Sequence, residues 1–184
     1  MDFPHSRHYQ RYEYVLQRGF VDDKVVIDVG AGSGYGSNIL SDKAKMIYAV
    51  DTKIPGYIIT PKVLPIKENI YDIVKKVDVC IVIEVFEHMQ DPRGFIKKIS
   101  ELCDYAFITT PLAEKTGRTR NQEHIAEYSK EDFDRIVGKE FDILEKMYQK
   151  SNLDIVFSAK PNGDTFDVGH VVQMLWARSK NGER

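Results

Sequence analysis

The stretch Val25-Val-Ile-Asp28-Val-Gly30-Ala-Gly32-Ser-Gly34-Tyr-Gly36 decides how this chain folds. Its first half, Val25–Val29, is nearly continuous in β-branched side chains, the pattern of a strand buried on both faces of a parallel sheet. The glycines that follow permit a tight turn and let a ligand approach bare backbone. Beyond them Ser37–Lys45 reads as a short helix with Ile39 and Leu40 facing inward. Spacing excludes two familiar nucleotide loops. A dinucleotide G-x-G-x-x-G begun at Gly30 needs glycine at 35, where Tyr35 stands, and one begun at Gly32 needs glycine where Ser37 stands. A P-loop needs Gly-Lys-Ser/Thr, which does not follow.

Outward from this loop, short apolar runs alternate with amphipathic segments. Met46–Val50, Val77–Ile83 and Tyr105–Thr109 read as further buried strands, and Phe141–Tyr148, Leu153–Ser158 and Val171–Ala177 as later ones. Asp91–Leu102 spaces Phe95, Ile96, Ile99 and Leu102 as one helical face. Ser129 reads as an N-cap, with Asp132 three residues on as a near capping box ahead of Phe133, Ile136 and Val137. His8–Arg18 predicts a helix on the sheet or over its active edge. After Asp51 a crossover helix is expected, but Pro55, Gly56 and Pro61 break it, so an irregular loop and a reshaped pocket are expected there. The alternation predicts an α/β, doubly wound sheet with an antiparallel edge.

Composition narrows the setting. The chain has 184 residues with 26 Lys+Arg against 28 Asp+Glu, a formal charge of −2, which argues against a wholly basic nucleic-acid coat. Cys80 and Cys103 form neither a CxxC motif nor a disulfide framework, which fits a reducing compartment. No apolar run approaches the roughly 20 residues of a membrane helix, and Met1–Gln10 is too polar for a signal peptide. A cytoplasmic protein with no membrane partner is expected.

Asp28-x-Gly30-x-Gly32-x-Gly34, an acid two residues ahead of three alternating glycines, resembles motif I of the class I S-adenosylmethionine (SAM)-dependent methyltransferases. Glu84-Val-Phe-Glu87-His88-Met-Gln-Asp91-Pro92 looks like that superfamily's fourth-strand motif, Thr109-Thr110-Pro111 like the end of its fifth strand, and His124-Ile-Ala-Glu127-Tyr128-Ser129 like an H-x-x-E-[YF]-[ST] stretch after it. His8-Tyr-Gln-Arg11-Tyr12 resembles an H-x-x-R-Y element of small methyltransferases tied to glycan modification. The resemblance implies a Rossmann-like, mostly parallel seven-stranded sheet with an antiparallel edge strand. It implies one domain over residues 1–184, with 1–22 as an N-terminal helical cap.

It also implies SAM as cofactor. Gly30, Ala31, Gly32 and Gly34 would wrap its methionine part, with Asp28 at its amino end. Asp51, 21 residues after Gly30 and beside Thr52, stands at about the ~20-residue spacing at which an acid meets ribose hydroxyls. Asn69 and Ile70 occupy the place near adenine, where the family usually carries Asp. Arg11 could pair with the methionine carboxylate. Two plainer readings stay open: Asp28 caps the turn, and Arg11 belongs to an ordinary amphipathic helix in which Tyr12 and Val15 pack inward.

Glu84, Glu87 and His88 stand at i, i+3 and i+4 beyond a buried strand, so a helical turn would project them together, with His124 arriving from a later loop. Two carboxylates and two imidazoles suit a divalent ion such as Mg²⁺, Mn²⁺ or Zn²⁺. Methyltransferases of small-RNA 3′ ends and of the ubiquinone pathway carry a similar Glu-x-x-Glu-His set. Without metal, His88 or His124 would be the general base, with Glu84 as the third catalytic candidate. Lys115, Arg118 and Arg120 form a basic run before His124 that could meet an acidic substrate. The expected reaction is methyl transfer to a hydroxyl of a sugar, glycan or other small diol. An RNA 3′-end ribose is the second acceptor class, and a non-catalytic SAM-binding module the reading from another class. With so short a chain, a homodimer or a partner protein could complete the pocket.

Overall fold

A computed structural model describes residues 6–113, 116–117, 121–149, 155–157 and 172–181. The chain begins with helix α1 (Ser6–Gln17), strand β1 (Val25–Val29), helix α2 (Tyr35–Leu40) and strands β2 (Met46–Asp51), β3 (Val63–Lys67) and β4 (Val77–Ile83). Helix α3 (Pro92–Leu102), strand β5 (Cys103–Pro111) and helix α4 (Lys130–Val137) follow, then strands β6 (Phe141–Gln149), β7 (Ile155–Phe157) and β8 (Val172–Ser179).

The strands form one sheet in the order β3-β2-β1-β4-β5-β8-β6-β7. The pairs from β3 across to β5 are parallel, β8 runs antiparallel to both β5 and β6, and β7 is antiparallel to β6. This is the expected doubly wound, seven-stranded sheet, with three-residue β7 added at the edge as an eighth strand. The order reverses at β1 and β4. That places a crevice at their carboxyl ends, where open α/β sheets bind ligands.

Alternate side chains along each strand feed two cores. Ile27, Val29, Cys80 and Val82 pack with Phe95, Ile96 and Ile99 of α3 and with Phe133 and Ile136 of α4. Val26, Val79, Ile81 and Ile83 pack on the opposite face with Tyr12 and Val15 of α1 and Leu40 of α2. Such a fully buried aliphatic or aromatic side chain contributes about 1.5–3 kcal/mol relative to exposure, so these stripes select the sheet's two faces.

Local signals set the ends. Asp91 accepts the Gly94 N–H at 3.0 Å, with Pro92 opening α3. Ser129 accepts the Asp132 N–H at 3.2 Å to start α4, as expected. The return half of a capping box is absent, because Thr116 Oγ1 takes the Ser129 N–H at 3.1 Å.

No helix connects β2 to β3. Residues 52–62 instead form an irregular strap fastened to α2, as the prolines predict. Tyr57 N–H donates to the Ser33 carbonyl at 2.8 Å, Asn38 Nδ2 donates to the Tyr57 carbonyl at 2.6 Å, and Asn38 Oδ1 accepts the Ile59 N–H at 3.1 Å. Leu153, Ser158 and Val171, the remaining ends of two expected strands, lie outside the described residues, as do Lys115, Arg118 and Arg120. No described helix is long and apolar enough to cross a membrane.

Candidate active site

The glycine turn leaves β1 through three left-handed positions, Gly30, Gly32 and Gly34. At Gly30 (φ +67°) a Cβ would stand 2.5 Å from Val85 of the β4 exit, so this glycine lets the two strand ends close together. At Gly32 (φ +56°) a Cβ would meet nothing within 4 Å. This is exposed backbone over open space, the condition for a close-lying ligand. The N–H groups of Gly30 and Ala31 are anchored on the Val50 carbonyl at 2.8 and 3.1 Å.

Asp51 completes this rim. Its Oδ2 accepts the Gly32 N–H at 2.9 Å, and its Oδ1 accepts the Lys53 N–H at 2.9 Å and the Thr52 hydroxyl at 3.4 Å. The two acids singled out in the sequence therefore play different parts. Asp51 is half-exposed beside the loop, whereas Asp28 is sealed beneath it at 0% exposure. Asp28 accepts the Tyr12 hydroxyl at 3.0 Å and the Ser37 hydroxyl at 2.6 Å. Burial pushes its carboxyl up to about 6, against the lowering pull of those two hydroxyls.

Asn69 is exposed, and its side-chain oxygen accepts the Tyr71 N–H at 3.1 Å, capping the short 3-10 turn Ile70–Asp72. Ile70 is buried in the core beside Ile73. Neither side chain is held toward the glycine turn by any of these contacts.

Arg11 reaches the β4 exit from α1. It is 1% exposed; its Nε donates to Gln149 Oε1 at 2.8 Å, and its Nη1 lies 3.2 Å from Glu84 Oε1 in an ion pair that leaves Nη1 without a well-aligned hydrogen bond. Glu84 carries a left-handed backbone (φ +54°), an uncommon conformation for a residue with a side chain. Thr109 Oγ1 holds it there, accepting the Glu84 N–H at 3.1 Å and donating to Oε1 at 3.1 Å. Tyr35 hydroxyl is also buried without a hydrogen-bond partner; burial raises it to about 12, with the Asp28 charge adding to the rise and that of Arg11 opposing it.

Glu84 departs from the sequence expectation. It does not project with Glu87 and His88, because β4 leaves the sheet through a single left-handed residue and only Phe86–His88 turn as a 3-10 helix. Arg11 and Thr109 draw Glu84 to one side, whereas Glu87 turns inward to accept the Thr110 hydroxyl at 3.1 Å. The group that could hold a metal ion thus contains Glu87, His88 and His124, with donor atoms within 4.8 Å of one another, and not Glu84.

The His124 loop is sewn to this turn by its backbone. The N–H groups of Ile125 and Ala126 both donate to the Glu87 carbonyl, at 2.9 and 3.2 Å. The rings of His88 and His124 stand edge to face, 5.0 Å between centroids. His88 Nδ1 faces the Glu123 carbonyl at 2.9 Å and His124 Nδ1 faces Glu127 Oε1 at 2.8 Å. In a neutral imidazole an Nδ1 opposite such an acceptor carries the proton, so Nε2 of both rings presents a lone pair. His124 Nε2 lies 4.0 Å from Glu87 Oε1 and 3.2 Å from Asn121 Nδ2. Glu87 Oε1 is buried and unpartnered; burial and then neighbouring Glu84 push that carboxyl up to about 9.

Glu127, Thr109, Thr110, Ser37 and Gln149 had no assigned role in the sequence. The first three sit inside the quoted motifs, so their spacing was visible although their partners were not. Ser37 and Gln149 had no comparable signal.

The fold and this crevice define an α/β protein with a glycine turn at the carboxyl ends of its parallel strands. Residues 6–156 match the model of a family described as a methyltransferase domain, and the chain belongs to that family. It is a SAM-dependent methyltransferase of the class I superfamily. Among solved structures it resembles the N-methyltransferase NodS from Bradyrhizobium japonicum WM9 in complex with S-adenosyl-L-homocysteine (14% identity, TM-score 0.67, 97% of this chain and 89% of that one). It also resembles a methyltransferase in complex with the Haloferax volcanii Trm112 activator (16%, 0.73, 94% and 90%). A third is magnesium protoporphyrin IX methyltransferase from Synechocystis PCC 6803 with bound S-adenosylhomocysteine (15%, 0.63, 94% and 82%). At these identities the likeness concerns the fold. A search of curated proteins finds no match.

Proposed function

We propose that the chain methylates a hydroxyl oxygen of a sugar or other small diol, with His124 as general base. The observation that carries this reading is the Glu127–His124 pair at 2.8 Å, with the His124 ring set edge to face against His88. SAM, when bound, supplies a methyl group on a positively charged sulfur. Backbone at Gly32 and the Asp51 carboxylate suit its nucleoside side, where a carboxylate can accept from a vicinal diol. Arg11 and Glu84 form a buried cation–anion pair that complements the carboxylate and ammonium of its amino-acid end, with Tyr35 hydroxyl as a further donor.

Once the acceptor hydroxyl displaces the Asn121 amide from His124 Nε2, that nitrogen accepts the hydroxyl proton, while Glu127 fixes the ring and stabilises the imidazolium that forms. His88 walls the other side and orients the acceptor. Orientation supplies much of the remaining acceleration, since a methyl transfer needs little covalent help from the protein. A divalent ion also fits the donor set, because Glu87 Oε1 is buried and lacks a partner. Glu87, His88 and His124 would hold it, and it would lower the pKa of an acceptor hydroxyl.

Labelled SAM incubated with monosaccharides, small diols, a catechol and an oligoribonucleotide, with and without EDTA, tests the acceptor and the metal together. Transfer to a diol oxygen supports the proposal. Transfer to amines alone contradicts it. An RNA 3′ end presents the same diol chemistry, and a protein activator added to the assay tests whether the pocket needs completing.

A further inference from the structure

Gly36 follows the three turn glycines but, unlike them, has no left-handed backbone that would call for glycine. Its reason lies above it. A Cβ at this position would stand 2.1–2.5 Å from three ring carbons of Tyr12, so the bare Cα is the floor of a slot filled by that ring. Tyr12 is 5% exposed, sits edge-on to Tyr35 at 5.7 Å, and ends its reach on Asp28, whose second oxygen holds Ser37 of α2. Ring and hydroxyl thus fasten α1 to β1 and α2 at the root of the glycine turn. The preceding residue on the same helix is Arg11, the only cation of α1 that is sealed against Glu84 among the described ion pairs.

We propose that Tyr12 is a positioning residue for SAM binding: by seating its ring on Gly36 and its hydroxyl on Asp28, it sets the height of α1 so that Arg11 meets the amino-acid end of the cofactor. This rests on the SAM site described above and names the device that assembles it. One helix segment carries both residues, so Tyr12 links the root of the glycine turn directly to the helix turn that presents Arg11. Gln149 on β6 holds the guanidinium from the far side and also donates to the Arg7 carbonyl and Gln10 Oε1 of α1, while buried Val15 packs the helix on the sheet; Tyr12 is the contact that ties this docked helix to the glycine turn.

The test is calorimetric titration of the purified full chain with S-adenosylhomocysteine. Tyr12→Phe keeps the ring and removes the hydroxyl; Gly36→Ala keeps the hydroxyl and ejects the ring. Each is expected to weaken binding by about tenfold, and in assays to raise KM for SAM more than it lowers kcat. The deciding arm is the double-mutant cycle with Arg11→Met. If Tyr12 works by placing Arg11, Tyr12→Phe costs little more once Arg11 is gone. Fully additive losses, or unchanged binding in both single variants, overturn the proposal. Leu144→Ala on the exposed face of β6 serves as the inert control. Failure of the wild-type chain to bind S-adenosylhomocysteine would instead overturn the SAM site itself, and circular dichroism separates either result from misfolding.

Discussion

Arg11 and Glu84 meet at 3.2 Å with side chains 2% and 16% exposed, joining the first helix to the exit of the fourth strand. A buried pair of this kind is a poor stabiliser in itself, because desolvation offsets most of the attraction. Its position beside the glycine turn suits the use proposed above, as the receptor for the zwitterionic end of the cofactor.

Arg11→Met keeps bulk and removes the cation. Affinity for S-adenosylhomocysteine is expected to fall by about tenfold to a hundredfold, a loss of roughly 1.4–2.8 kcal/mol. Calorimetry checks it, and an unchanged Kd would show that the cofactor's carboxylate binds elsewhere.

His124→Ala and Glu127→Gln separate chemistry from cofactor binding. Loss of a general base lowers kcat by about 10²–10⁴-fold. Glu127→Gln is expected to give a smaller fall, because the ring remains but loses its charged partner. S-adenosylhomocysteine affinity should stay within about threefold in both, since these residues are assigned to the acceptor and not to the cofactor. Wild-type turnover in His124→Ala would remove this residue from the mechanism.

Gly32→Ala tests the open backbone. Its φ of +56° strains an alanine by about 1 kcal/mol, yet the new methyl meets no protein atom within 4 Å. The fold should survive with a small drop in urea midpoint while S-adenosylhomocysteine binding falls steeply. Gly30→Ala should do the reverse in emphasis, destabilising the chain through the 2.5 Å clash with Val85.

Stability should decline as pH rises. Asp28 is raised from 3.8 to about 6 and Glu87 from 4.5 to about 9, so both carboxyls bind protons more readily in the folded chain than in the unfolded one. Their favourable contribution is complete below the unfolded values and is lost as pH passes up through the folded ones. Urea midpoints measured from about pH 5 to pH 9 should therefore fall, and Glu87→Gln should flatten the upper part of the curve. A midpoint that rises over this window, or a Glu87→Gln curve parallel to wild type, contradicts the assignment.

Much of this was legible in the chain. Val25–Val29 and Val77–Ile83 are strands over those same residues, because burial on both faces leaves an uninterrupted apolar run. Strand β3 was not identified, since an edge strand with Leu64 and Pro65 exposed shows neither alternation nor continuity. At the site, the motifs brought His88, His124 and Glu87 together correctly in space. The position of Glu84 depends on one left-handed residue and on Thr109 from the neighbouring strand, and i, i+3 spacing cannot express either. The sealing of Asp28 under Tyr12 is likewise a contact between segments.

Titration of the purified chain with S-adenosylhomocysteine tests the central claim most directly, that the glycine turn and Asp51 form a SAM site. The account predicts one binding event per chain, weakened by about tenfold or more in Asp51→Ala. Absence of binding at millimolar ligand, or full-strength binding to Asp51→Ala and Gly32→Ala alike, would contradict it.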